Sequence, residues 1–97
     1  MPTYISLVSW TDKGVADFKE TVNRAEQAAS VMKSLGGEMT HTYWTLGQHD
    51  LVVISEFPDD ETGTAAALAI SSQGQVRTTT LRAFDSDEMR AIISKLG

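Results

Sequence analysis

Apolar and polar residues alternate at every second position from Thr3 to Trp10, with Ile5 and Leu7 on one side and Tyr4, Ser6, Val8 and Trp10 on the other. That period predicts a first strand. Thr11-Asp12 then offers side-chain oxygens for a helix start, and Val15, Phe18, Val22, Ala25, Ala29 and Met32 recur at the three-and-four spacing of one helical face before Gly36-Gly37 ends it. A continuous helix from Asp12 to Leu35 would run about 35 Å, well beyond a strand of about eight residues. A break near Thr21-Val22 is therefore expected.

The stretch Thr40 to Phe57 carries two aromatic and β-branched runs that meet at Gly47-Gln48-His49-Asp50, and it predicts a β-hairpin. Closing it with an even-numbered loop pairs Gly47 with Asp50, Thr45 with Val52, Tyr43 with Ile54 and His41 with Glu56 on one face. Trp44, Leu46, Leu51, Val53 and Phe57 fall on the other. Pro58 leaves the sheet, and Asp59 or Asp60 caps a second helix whose small residues, Ala65 to Ile70, let it lie close to a sheet until Gly74. Gln75 to Phe84 is again strand-like. Asp85 and Glu88 stand at capping-box spacing before Met89, Ile92, Ile93 and Leu96, an amphipathic C-terminal helix.

The order strand, helix, strand, strand, helix, strand repeats a β-α-β unit, which makes residues 1–97 a single α+β domain of the ferredoxin-like βαββαβ pattern: a four-stranded antiparallel sheet, helices on one face, and an added C-terminal helix. Ile5, Leu7, Trp44, Leu51, Val53 and Leu81 are assigned to the helix side. The open side then carries Tyr4, Ser6, Val8, Trp10, His41, Tyr43, Val52, Ile54, Glu56, Thr78, Thr80 and Arg82. So apolar a face predicts a homodimer or higher homo-oligomer whose sheets face each other around a partly polar cavity.

Composition narrows the classes of function. A 97-residue chain with 41% apolar residues can fold as one domain, and a formal charge of -5 without any Lys/Arg cluster argues against nucleic acid or an anionic membrane as partner. The absence of cysteine removes disulfides, thiolate chemistry and cysteine-bound metals. The longest apolar run is Ala65 to Ile70, and no basic leader precedes the first strand, so a cytoplasmic protein is expected. Gly36-Gly37 follows no strand and is a helix stop, with no phosphate loop.

Trp10-Thr11-Asp12, Arg24-Ala25-Glu26, the run Tyr43 to Val52, Pro58-Asp59-Asp60, Arg77-Thr78 and Leu81-Arg82-Ala83-Phe84 together resemble the GYD domain family over nearly the whole chain. His49 stands where the tyrosine of the family's glycine-tyrosine-aspartate tripeptide is expected. The resemblance implies a ferredoxin-like fold of the dimeric α/β-barrel kind and no established reaction.

Several side chains are candidates for chemistry. A Glu56 carboxylate beside the His41 imidazole would raise its pKa and orient it as a base, although the same pair also suits a plain cross-strand contact. Tyr4, Trp10 and Tyr43 could stack on a ligand or pack an interface, and Arg82 could hold a carboxylate or an acidic residue across a dimer. Arg24 and Glu20 are read as a helical ion pair. His49 and His41 lie roughly 25 Å apart along one extended hairpin arm, so no metal site is expected from them and Glu56. The leading expectation is a homodimeric module, without cofactor, that binds a small aromatic or carboxylated metabolite through Tyr4, Trp10, His41, Tyr43 and Arg82 in the cavity on the open sheet face. The alternatives are a cofactor-free monooxygenase or isomerase-like enzyme, with His41 as base and Glu56 as its orienter, and a purely structural assembly module.

Overall fold

A computed structural model describes residues 1–97 and places four strands in one antiparallel sheet: β1 (Thr3–Trp10), β2 (Glu38–Trp44), β3 (Leu51–Glu56) and β4 (Val76–Ala83), in the order β2-β3-β1-β4. The helical segments are α1 (Asp12–Ala16), a 3-10 turn (Phe18–Glu20), α2 (Thr21–Ser34), α3 (Asp60–Ser71) and α4 (Ser86–Ser94). This is the expected ferredoxin-like order with its added helix. Side-chain caps act where the sequence offers them: Thr11 accepts from the Gly14 amide, Asp59 from the Thr62 amide, and Asp85 and Glu88 close a reciprocal capping box.

The long first helix does break, but earlier than expected, at Asp17–Glu20. Arg24 stabilises that break by donating to the Asp17 carbonyl and carboxylate, so the expected pairing of Arg24 with Glu20 is replaced by one with Asp17. The break turns the first part of the apolar stripe outward. Val15, Phe18 and Val22 are each more than half exposed, whereas Met32 is buried.

The paired residues of the hairpin keep their predicted faces, Leu46 instead lies beyond β2 in the turn and is fully exposed, and the predicted register is lost. Trp44 pairs with Leu51, Tyr43 with Val52 and His41 with Ile54, a shift of two residues, and an irregularity between Met39 and His41 then sets Glu38 opposite Glu56. The cause lies outside the hairpin. Asp50 accepts from the Trp10 amide through its carboxylate and donates its own amide to the Val8 carbonyl, so it is tied to β1 and cannot close a tight turn with Gly47.

The two faces of β1 and β4 are the reverse of the expected ones. Val8 pairs with Leu51, Ser6 with Val53 and Tyr4 with Ser55, so the even-numbered residues of β1 share the helix side with the buried residues of β3. Tyr4, Ser6, Val8 and Trp10 therefore lie beneath the helices, together with Thr78, Thr80 and Arg82 from β4, while Ile5, Leu7 and Leu81 lie on the open face. Both sides of β1 are apolar, and hydrophobicity alone could not choose between them. The polar tip of Tyr4 chooses: its hydroxyl donates to the Asp60 carboxylate at 2.5 Å, and its ring meets Phe57 edge-on at 5.9 Å.

Tyr4, Val8, Met32, Leu51, Val53, Phe57 and Ala66 form the buried core. Gly37 is required where α2 hands over to β2, because a Cβ there would come within 2.4 Å of the Phe57 ring. No helix is long and apolar enough to cross a membrane. The helix α4 extends from the end of β4, and Met89, Ile92 and Ile93 on its apolar stripe, with Leu96 just beyond its end, are all exposed, Leu96 by 88%.

Candidate functional sites on the two faces of the sheet

Right-handed crossovers put α2 and α3 on one side of the sheet, and a cavity of about 100 Å³ lies between them and the strands. Its apolar wall includes Val8, Met32, Val53, Phe57 and Ile70, and its polar wall includes Ser6, Thr78, Thr80, Gln73 and Gln75. Ser6 and Thr80 share a hydrogen bond of 3.0 Å. Thr80 and Gln73 are solvent exposed, so the cavity opens to water. Tyr4 and Trp10 both contribute to the lining.

Two arginines lie nearby, and both are occupied. Arg24 is held by the Asp17 carboxylate and carbonyl. The Arg82 guanidinium stacks between Tyr4 (5.7 Å) and Phe84 (4.4 Å), donates to the Thr3 and Ala83 carbonyls, and approaches Glu88 at 3.9 Å. Burial, followed by the hydrogen bond to Asp60 and the charge on that carboxylate, pushes the Tyr4 phenol up to about 12. It is a neutral donor at physiological pH.

The open face carries a different set. Its side chains fall in rows across the sheet: Glu38, Glu56, Thr3 and Ala83; His41, Ile54, Ile5 and Leu81; Tyr43, Val52, Leu7 and Thr79; and Ser9 with Arg77. His41 stacks on Tyr43 with ring centroids 6.2 Å apart, and its Nδ1 lies 3.2 Å from the Thr40 hydroxyl. Glu56 faces Glu38, so the sequence pairing of His41 with Glu56 is not formed.

The five ligand candidates are thus divided by the sheet. Tyr4, Trp10 and Arg82 are on the helix side; His41 and Tyr43 are on the open side. Sequence reasoning missed Asp60 as the partner of Tyr4, and no local signal marks a contact between residues so far apart in the chain. Arg77 was also passed over as a face residue, because the parity of β4 follows from β1 and cannot be read within β4.

A model of the GYD domain family matches residues 4–93. The chain belongs to the GYD domain family. A Thermus thermophilus relative, the glutamine synthetase and cystathionine beta-lyase binding protein, is 32% identical over 84 residues, covering 86% of this chain and 88% of its own. Among solved structures, one from Thermus thermophilus is 25% identical with a TM-score of 0.58, covering 89% of this chain and 96% of its own. A feast or famine regulatory protein from M. tuberculosis, complexed with L-methionine, is 13% identical with a TM-score of 0.68 over 89% of this chain. This GYD chain spans about half of that regulator, 52% of its length, and the likeness shows the shared fold.

Proposed function

We propose that this GYD domain is a self-associating binding module whose ligand is a small uncharged aromatic molecule held in the cavity between helices and sheet. The cavity carries the proposal. At about 100 Å³ it is smaller than the 150 Å³ apolar cavity that takes benzene, so it admits at most one ring, held partly inside with its polar end at the opening. Ser6, Thr78, Thr80 and Gln75 offer neutral hydrogen-bonding groups there. A carboxylate would lose its hydration without gaining a free cation, since Arg24 and Arg82 are already engaged, and this favours the aromatic over the carboxylated ligand.

Surface area supports the self-association. The chain exposes 6461 Å², against about 5,500 Å² for a stable monomer of this mass. The excess of about 1,000 Å², to which the exposed helix α4 also contributes, is comparable with what each partner buries in a standard dimer. Ile5, Leu7, Val52, Ile54 and Leu81 on the open face are the side chains that pairing with a second copy would cover.

Titration with phenol and with benzoate, followed by the methyl resonances of Met32 and Met39, tests the ligand reading. Phenol is expected to shift Met32 while leaving Leu81 unmoved, benzoate to bind more weakly, and Ala67→Leu to abolish both effects by filling the space. Tighter binding of benzoate, or shifts confined to the open face, would contradict it.

A second reading rests on the name of the Thermus relative. In it, this chain also docks on a metabolic enzyme such as glutamine synthetase, using the exposed stripe of α4. Immobilised purified glutamine synthetase should then retain the full chain and release the Ile92→Asp, Ile93→Asp variant; equal behaviour of the two would remove this reading.

A further inference from the structure

On the open face the charges sit at opposite corners. Glu38 and Glu56 oppose each other at the β2-β3 corner, whereas Arg77 lies on β4 at the far end, beside Ser9. Like charges directly opposite on a sheet are unfavourable. None of these three residues takes part in the ion pairs within the chain, which join Arg24 to Asp17, Arg82 to Glu88 and Arg90 to Asp87. Three strand spacings and six residues of rise separate the corners by about 25 Å, so they cannot meet within one chain.

We propose that a second copy of this chain docks face to face with its strands crossing steeply, so that Arg77 of each copy meets Glu38 and Glu56 of the other. The inference rests on the self-association argued above and specifies its geometry. A two-fold axis lying between the sheets and perpendicular to the Glu38–Arg77 diagonal carries each corner onto its opposite. From the strand spacings, the crossing angle is about 70°, towards the orthogonal class of sheet packing. The same operation lays the central rows, with Ile5, Leu7, Val52 and Ile54, on one another. An axis along the diagonal would stack Arg77 on Arg77 and glutamates on glutamates. An axis across the strands leaves Arg77 over Ala83, and one along the strands brings it near Asp50, whose carboxylate already accepts from the Trp10 amide. Of these four arrangements, the perpendicular one alone supplies a cation to both free carboxylates.

Sedimentation equilibrium of the full chain and its charge variants tests this. Arg77→Glu is expected to weaken the wild-type dimer by about tenfold or more, as is the double variant Glu38→Arg, Glu56→Arg. Mixing these two variants should restore association, because the heterodimer then pairs an all-acidic face with an all-basic one. Retained folding is checked by circular dichroism, and the rescue itself excludes misfolding as the cause. A wild-type chain that stays monomeric would overturn the self-association and this geometry together. A wild-type dimer that ignores Arg77→Glu, shows no rescue on mixing, or is broken instead by Asp50→Asn would overturn the geometry while leaving self-association standing.

Discussion

The two faces of this sheet are built from similar amounts of apolar side chain and differ in what covers them. Under the helices, Tyr4, Val8, Val53 and Phe57 are almost fully buried, and the one polar tip among them finds Asp60. On the other face, Ile5, Leu7, Val52 and Ile54 are only half-buried, and Tyr43 and Leu81 are about half exposed. The contrast shows that hydrophobicity fixes how strongly a surface must be covered, whereas the placement of a few polar partners decides by what. Covered by its own helices, a face makes the fold stable; left open, it makes association favourable.

The largest effect should come from the covered face. Phe57 is 3% exposed, and Phe57→Ala is expected to cost about 3–5 kcal/mol in urea unfolding by opening a cavity beside Tyr4 and Gly37. Ile54→Ala, of similar chemistry on the open face, should cost about 1 kcal/mol or less in a monomer held at low concentration, while reducing association measurably. Equal losses for the two substitutions would erase the distinction between the faces.

Tyr4→Phe probes the polar tip that selects the covered face. Losing its charge-assisted hydrogen bond is expected to cost about 1.5 kcal/mol at neutral pH. Because the folded-state pKa of Tyr4 is raised from 10.0 to about 12, mainly by burial, the unfolded chain releases the proton first. The stability that the neutral phenol contributes is fully present below pH 10.0 and is lost as pH rises through about 12. The wild-type chain should therefore lose stability across that window and Tyr4→Phe should not share this loss; identical alkaline profiles would contradict the role given to Tyr4.

The smallest effect on global stability belongs to α4, which extends from the end of β4. Asp85→Ala removes a capping box and is expected to lower local helix stability by about 1 kcal/mol, seen as faster amide exchange over residues 88–94, with the global unfolding midpoint nearly unchanged. A comparable drop in the global midpoint would mean that α4 belongs to the core.

These two faces also mark where the sequence could be read and where it could not. Element order, the caps at Thr11, Asp59 and Asp85, and the faces of Trp44, Leu51 and Tyr43 follow from local periodicity and side-chain chemistry, and all were legible. The hairpin register was not, because Asp50 bonds to β1 and the pairing depends on a strand forty residues earlier. The parity of β1 was illegible for a related reason: both its sides are apolar, and the deciding contact joins Tyr4 to Asp60. That single reversal divided the candidate ligand residues between two faces, leaving Tyr4, Trp10 and Arg82 on the helix side and His41 and Tyr43 on the open one.

Side-chain footprinting of the wild-type chain as a function of protein concentration tests the contrast most directly. Val8, Val53 and Phe57 should resist labelling at every concentration, whereas Leu7, Ile54, Tyr43 and Leu81 should become protected together as concentration rises. Labelling of the open-face residues that stays high and independent of concentration would contradict the assignment of that face to a second copy of the chain.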